Sequence, residues 1–215
     1  MKKLFVIFSM LAIVAAAMAV SCKKEAKDSI KLDKQFVNVS DRAEVITMNV
    51  TASGEYSGQP DAEWLSVSGP TITVSPNYYE AARTANVTFY CGSEKATVVI
   101  NQAGRGPKEV VAVVIDALLV GDFPTFWECV DMTDAQKDYF LEQYNTKVDT
   151  ETTEETDFKG YKVISETIDN TTGTAVVKVK YEYKEHEDSE QDWPLIKRDG
   201  KWKLDMKIDE LFSGK

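Results

Sequence analysis

The chain has one histidine, His186, and three cysteines, Cys22, Cys91 and Cys129, among 215 residues. No Cys-x-x-Cys pair and no Cys/His cluster occurs, which removes zinc modules and dithiol redox centres of recognisable spacing. Gly-x-Ser-x-Gly, His-Glu-x-x-His and glycine-rich phosphate loops are also missing, so the common nucleophile, metalloprotease and nucleotide signatures are absent. Positive charge is scarce: 25 Lys and Arg face 35 Asp and Glu, for a net charge of −10. No basic patch with interleaved aromatics offsets that balance, and an acidic surface repels phosphate backbones. Nucleic acid is therefore not an expected partner. His186 lies between Glu185 and Glu187 on a polar hairpin tip, which reads as a solvent-exposed position rather than a catalytic one. The acids around it, Glu182 to Asp192, lack the residue order of a calcium loop and read as a hydrated edge that discourages strand pairing with other chains. Nothing selects a pair of glycosidase carboxylates, although such a pair need not be close in sequence. No metal and no cofactor is expected.

Only one long hydrophobic run is present. Leu4 to Val20 is apolar except for Ser9, follows Lys2 and Lys3, and leads through Ala19-Val20-Ser21 to Cys22. A basic start, an apolar core and small residues before a cut describe a secretory signal peptide over 1–21. The alternative is an uncleaved anchor, for which about 17 apolar residues is the lower limit of a span. With cysteine after the cut, the stretch resembles the lipobox of a bacterial lipoprotein. That resemblance implies a mature chain beginning at Cys22, lipidated there, with the membrane as its partner through that lipid. It implies a location in the cell envelope, as an outer-membrane lipoprotein facing the periplasm or the outside. Residues 22–31 are polar and read as a tether. Within them, Asp28-Ser29-Ile30 resembles the O-glycan acceptor of secreted Bacteroidetes proteins, which makes Ser29 a candidate for glycosylation.

From Leu32 to Gly104 the pattern has the period of strands. Ile46, Met48 and Val50 alternate with Thr47, Asn49 and Thr51, and Ala85, Val87, Phe89 and Cys91 repeat the alternation, as do Ala96, Val98, Ile100 and Gln102. Turn signals at Ser53-Gly54, Ser57-Gly58, Gly69-Pro70, Pro76-Asn77 and Gly92-Ser93 separate the runs. Short strands with frequent turns predict an antiparallel β-sandwich. The series Ala62-Glu63-Trp64-Leu65, Ile72-Thr73-Val74-Ser75-Pro76-Asn77, Arg83-Thr84-Ala85 and Val98-Val99-Ile100-Asn101-Gln102 resembles a BACON domain. The resemblance implies an immunoglobulin-like sandwich that binds glycans or acts as a spacer. Trp64 is expected as a core anchor, Arg83 and Asn77 as turn-holding groups, and Gln102 as an inward group that needs a buried partner. If a glycan is held, the loop aromatics Tyr56, Tyr78 and Tyr79 are the candidate contacts. Cys91 and Cys129 sit in apolar patterns of different domains and read as two buried free thiols, pairing being the alternative.

Gly104-Arg105-Gly106-Pro107 marks a domain boundary, with 105–107 as a short linker. Val110, Val113, Val114, Ala117 and Leu118 share a helical face that ends at Gly121. Asp122 is placed to cap a second short helix, and Thr133 with Gln136 makes a capping box for a third, from Asp134 to about Thr146. Residues 149–157 are expected as an acidic loop. Four strands follow, over 160–168, 174–184, 193–198 and the segment holding Trp202, Leu204 and Met206. Helices followed by a meandering sheet predict an α+β domain over 108–209, with 210–215 as a tail. The segments Ala117-Leu118-Leu119-Val120-Gly121-Asp122-Phe123 and Leu195-Ile196-Lys197-Arg198-Asp199-Gly200-Lys201-Trp202 resemble the nuclear-transport-factor-2-like, cystatin-like superfamily. That superfamily includes ketosteroid-isomerase-like enzymes as well as binding and assembly modules. Asp116 is the single polar group on the apolar helix, and a pocket joining it to Tyr144, Tyr181 or Tyr183 would suit a general base. A lone acid without an oxyanion donor or histidine favours binding over catalysis, with glycans or another envelope protein as partners.

Overall fold

The computed structural model describes residues 27–151 and 157–205. Mostly β-sheet with a few helices, it holds a β-sandwich followed by an α+β unit. The expected cleavage site and Cys22, and the 210–215 tail, lie outside the described residues.

The sandwich uses nine strands: β1 (Ile30–Leu32), β2 (Phe36–Val39), β3 (Glu44–Thr47), β4 (Val50–Ala52), β5 (Ser57–Pro60), β6 (Leu65–Ser68), β7 (Thr71–Val74), β8 (Arg83–Cys91) and β9 (Glu94–Gln102). One sheet has the order β2-β9-β8-β5, the other β3-β7-β6, and β1 pairs with β4 beside them. All pairs are antiparallel except β2 with β9. The expected alternation closes the core: Val87, Phe89, Val98, Ile100, Ile72 and Val74 are fully buried between the sheets.

Two expectations are corrected here. The run from Ile46 to Val50 is not one strand; it breaks at Met48-Asn49, and its halves enter different sheets. Ser57-Gly58 is not a turn but the start of edge strand β5, paired with Tyr90 and Phe89. Gly58 is glycine because of close approach. A Cβ there would lie 2.5 Å from Val67 Cγ1 and 3.0 Å from the Phe89 ring.

The α+β unit opens with α1 (Pro107–Val120), α2 (Phe123–Trp127) and α3 (Asp134–Glu151). Pro107 stands in the first turn of α1, and Gly121 caps its end in the left-handed region. Asp122 caps α2 by accepting from the Thr125 amide, and Thr133 and Gln136 exchange the expected capping bonds. Helix α3 runs five residues beyond the expected Thr146, because no glycine or proline interrupts 134–159.

The sheet is a meander, β10 (Phe158–Asp169), β11 (Thr174–Tyr183), β12 (Ser189–Arg198) and β13 (Lys201–Leu204). Strand β12 starts at Ser189 rather than Trp193, so the acidic tip is shorter than expected. Its acids face the lysines of β11: Lys178 pairs with Asp192 at 3.0 Å and Lys180 with Asp188 at 2.8 Å. Helix α1 packs on β10, β11 and β13, burying Val110, Val111 and Val114 with Val177, Val179, Trp193, Leu195 and Trp202. Cys91 and Cys129 are free and buried, one in each core, and burial pushes the Cys129 thiol up.

Candidate functional site

The boundary expected as a linker is instead a packed junction. Arg105 is almost fully buried, and its Nε donates to Asp41 Oδ2 at 2.6 Å; the two side chains are 4% and 7% exposed. Its amide donates to the Tyr79 carbonyl, and its guanidinium covers the Tyr78 ring at 4.9 Å. Gly104 lets the chain pass the 75–80 loop, since a Cβ there would meet the Glu80 carbonyl oxygen at 1.8 Å. From that loop Glu80 reaches the β12–β13 hairpin, accepting from Lys197 Nζ and, at 3.1 Å, from Trp202 Nε1. These bonds hold the Glu80 carboxyl below its ordinary value. The hairpin turn itself has Asp199 and Gly200 at positive φ, as a tight two-residue turn demands.

Beside the junction lies a cleft of about 350 Å³, lined by Arg42, Tyr78, Arg105, Asp116, Asp122 and Thr125 with apolar residues of α1. Asp116 is fixed from both sides. Arg42 Nη2 donates to its Oδ2 at 2.6 Å, and Tyr161 OH donates to its Oδ1 at 2.7 Å. Burial, followed by the neighbouring Asp116, pushes the Tyr161 hydroxyl well above the usual tyrosine range. The Asp116 side chain remains 42% exposed, so this carboxylate lies at a rim.

The expected grouping of Asp116 with Tyr144, Tyr181 and Tyr183 is not formed. A helix turns about 100° per residue, so Val113, Asp116, Ala117 and Val120 face the sandwich while Ile115, Leu118 and Leu119 face elsewhere. Those latter residues line a second cleft of about 450 Å³ with Phe158, Tyr181, Gln191 and Trp193. Tyr181 OH accepts from Trp193 Nε1 at 3.0 Å, and burial pushes its own pKa up to about 12. Tyr144 donates to the Leu118 carbonyl and packs edge-on against Phe123, and Tyr183 lies against Phe158.

The three tyrosines considered for glycan contact do not form one platform. Tyr56 packs against Phe89 of the sandwich core, 6.2 Å between centroids. Tyr78 and Tyr79 lie at the junction, where Lys201 Nζ sits 5.6 Å and 4.9 Å from their ring centres. Arg83, Asn77 and Gln102 make the side-chain bonds expected of turn-holding and inward groups, and Trp64 is half-buried against the core. Arg83 covers Trp64 at 4.4 Å and donates to the Ser75 and Pro76 carbonyls. Asn77 donates to Ala81 and Ala103, and buried Gln102 bonds Arg83, Arg42 and Ser75. Ser29 is exposed. His186 is exposed and pairs with Asp157, which raises the imidazole pKa. Among the described residues no group of three or more His, Cys, Asp or Glu is placed to hold a metal, and no helix is long and apolar enough to cross a membrane.

Sequence reasoning missed Arg42, Glu80, Arg105 and Tyr161. The only signal was an isolated arginine between glycines at the boundary, and its partner lies 64 residues earlier.

No curated protein matches the chain. Among solved structures, a Bacteroides ovatus GH5 xyloglucanase in complex with a XXXG heptasaccharide is similar at 20% identity and a TM-score of 0.34, over 35% of this chain and 19% of that one. Domains 4 and 5 of the S-layer protein SbsC are similar at 18% identity and a TM-score of 0.29, over 37% of this chain and 55% of that one. Residues 51–103, most of the sandwich, match the family model BACON, described as "Putative binding domain, N-terminal".

Proposed function

We propose that this chain is a non-catalytic envelope lipoprotein whose sandwich, a carbohydrate-related binding module, also spaces an α+β domain of the cystatin-like, nuclear-transport-factor-2-like type away from its lipid at Cys22. The observation that carries this reading is the route of the chain through the sandwich. It enters beside the β8–β9 turn, where Asp28 Oδ2 accepts from the Ser93 amide at 3.2 Å. It leaves at Gly104, beyond the other end of β9. Nine residues of β9 separate entry from exit, about 30 Å at roughly 3.3 Å per residue. A module with its two connections at opposite poles suits a spacer.

Two features favour binding over catalysis. Asp116 is committed to Arg42 and Tyr161 at a rim, without a histidine beside it. The interior of the α+β unit is filled by Phe126, Phe140, Trp193 and Trp202, all buried. The second cleft, beside Tyr181, favours a second reading in which the α+β unit holds a small apolar ligand, with ketosteroid-isomerase-like chemistry or a pure assembly role as the alternatives.

Membrane fractionation of the Cys22→Ala protein tests the anchor. Release into the soluble fraction is expected, and retention through an uncleaved N-terminus would overturn it. Affinity electrophoresis of the mature chain in gels carrying neutral polysaccharides tests glycan binding. No retardation in any of them would leave the spacer role alone.

A further inference from the structure

The outward face of the β2-β9-β8-β5 sheet has a composition unlike the rest of the surface. Its inward residues form the core, so Phe36 and Asn38, Ser57 and Gln59, Thr84, Asn86, Thr88 and Tyr90, and Lys95, Thr97, Val99 and Asn101 face out. Register sorts them into rows across the sheet. Asn38, Asn101 and Thr84 form one, Phe36, Val99 and Asn86 the next, then Thr97, Thr88 and Gln59, and finally Lys95, Tyr90 and Ser57. The face carries Lys95 and, at its β5 edge, Asp61, whose Oδ2 accepts from Asn86 Nδ2 at 2.8 Å, two opposite charges in a chain of which charged residues make up 28%.

The polar groups are ordered before any ligand arrives. Thr84 Oγ1 donates to Asn101 Oδ1, Asn101 Nδ2 donates to Asn38 Oδ1, and Thr88 shares a bond with Thr97, all near 3.0 Å. Each amide and hydroxyl keeps further donor or acceptor capacity toward solvent. Two rings stand out of this lattice, Phe36 at 65% exposed and Tyr90 at 39%. They lie two rows and two strands apart, roughly 16 Å at the usual strand rise and spacing.

The geometry points to this sheet face, rather than the loop tyrosines, as a binding surface for a neutral, extended polysaccharide. This rests on the glycan reading of the sandwich proposed above. A ring presents a flat apolar surface to the C–H face of a sugar, and fixed amides and hydroxyls meet its hydroxyls without an ordering cost at binding. Charge selects the class of occupant. A near-neutral face on a chain of net charge −10 does not repel an uncharged glycan, whereas the surrounding field disfavours a polyanionic one.

The test is affinity electrophoresis of the mature chain in gels containing xyloglucan, galactomannan or laminarin, with polygalacturonate for comparison. At least one neutral polymer is expected to retard the protein and polygalacturonate is not. Phe36→Ala and Tyr90→Ala should each weaken binding about tenfold. Thr97→Glu, which puts a charge in the middle of the face, should abolish it, with thermal unfolding confirming that all three variants fold. Retardation that survives all three variants, or that is lost in Tyr79→Ala instead, overturns the location and leaves glycan binding standing. Tighter binding to polygalacturonate overturns the neutral class. Failure of every polymer removes the glycan reading itself and this inference with it.

Discussion

At the scale of single residues, the junction depends on a few polar groups with partners far away in sequence. Glu80 is the clearest case, because its lowered pKa comes from Lys197 and then Trp202, both in the other unit. A carboxyl whose folded pKa is depressed adds stability that is fully present above its ordinary value of 4.5. That contribution is lost as pH falls through the lowered folded value. The side chain is 37% exposed, so solvent screening keeps the contribution small. Tryptophan emission of the protein should therefore change on acidification below pH 4.5 as Trp202 loses its acceptor. In Glu80→Gln that step should be missing. An identical titration in both proteins would show that Glu80 does not report the junction. Little of this was legible in the sequence, where Glu80 is one acid among 35. The groups that were legible act locally or in a strand pattern: Asp122 and Thr133 at helix starts, and Gln102 at an inward strand position.

Elements were easier to read than their partners. Strand and helix periods located the two cores because burial is repeated at every second or at every third and fourth residue. What failed was punctuation. Ser57-Gly58 has the composition of a turn, but that glycine exists to admit Val67 and Phe89. Gly58→Val should force those side chains apart and cost about 1–3 kcal/mol in urea denaturation. A change near zero would mean that β5 can move aside. The acidic run after Tyr183 misled in the opposite direction. Acids are poor strand formers alone, yet opposite Lys178 and Lys180 they extend β12 by several residues. Asp116 stood out as the polar group of an apolar helix, but its position along α1 did not say that it points to Arg42 of the other unit.

For the whole molecule, the packed junction predicts that the two units melt together. Calorimetry of the protein should show one transition, because separating the units exposes Arg105 and Asp41 along with the apolar surface beside them. Arg105→Met leaves Asp41 buried without its counter-charge and should destabilise the protein by about 3–5 kcal/mol, the size expected on breaking a buried pair. A single transition with unchanged midpoint in that variant would show that the pair contributes little.

The parallel pairing of β2 with β9 has a mechanical meaning. The chain reaches β2 through β1 from its N-terminal side, and β9 leads into the α+β unit. Tension between those two ends pulls parallel neighbours past each other along their length. The pairs from Phe36↔Val99 to Val39↔Gln102 then bear the load together. A hairpin pulled at its open end would lose its bonds one at a time. The sandwich is thus laid out to resist a pull between its two poles.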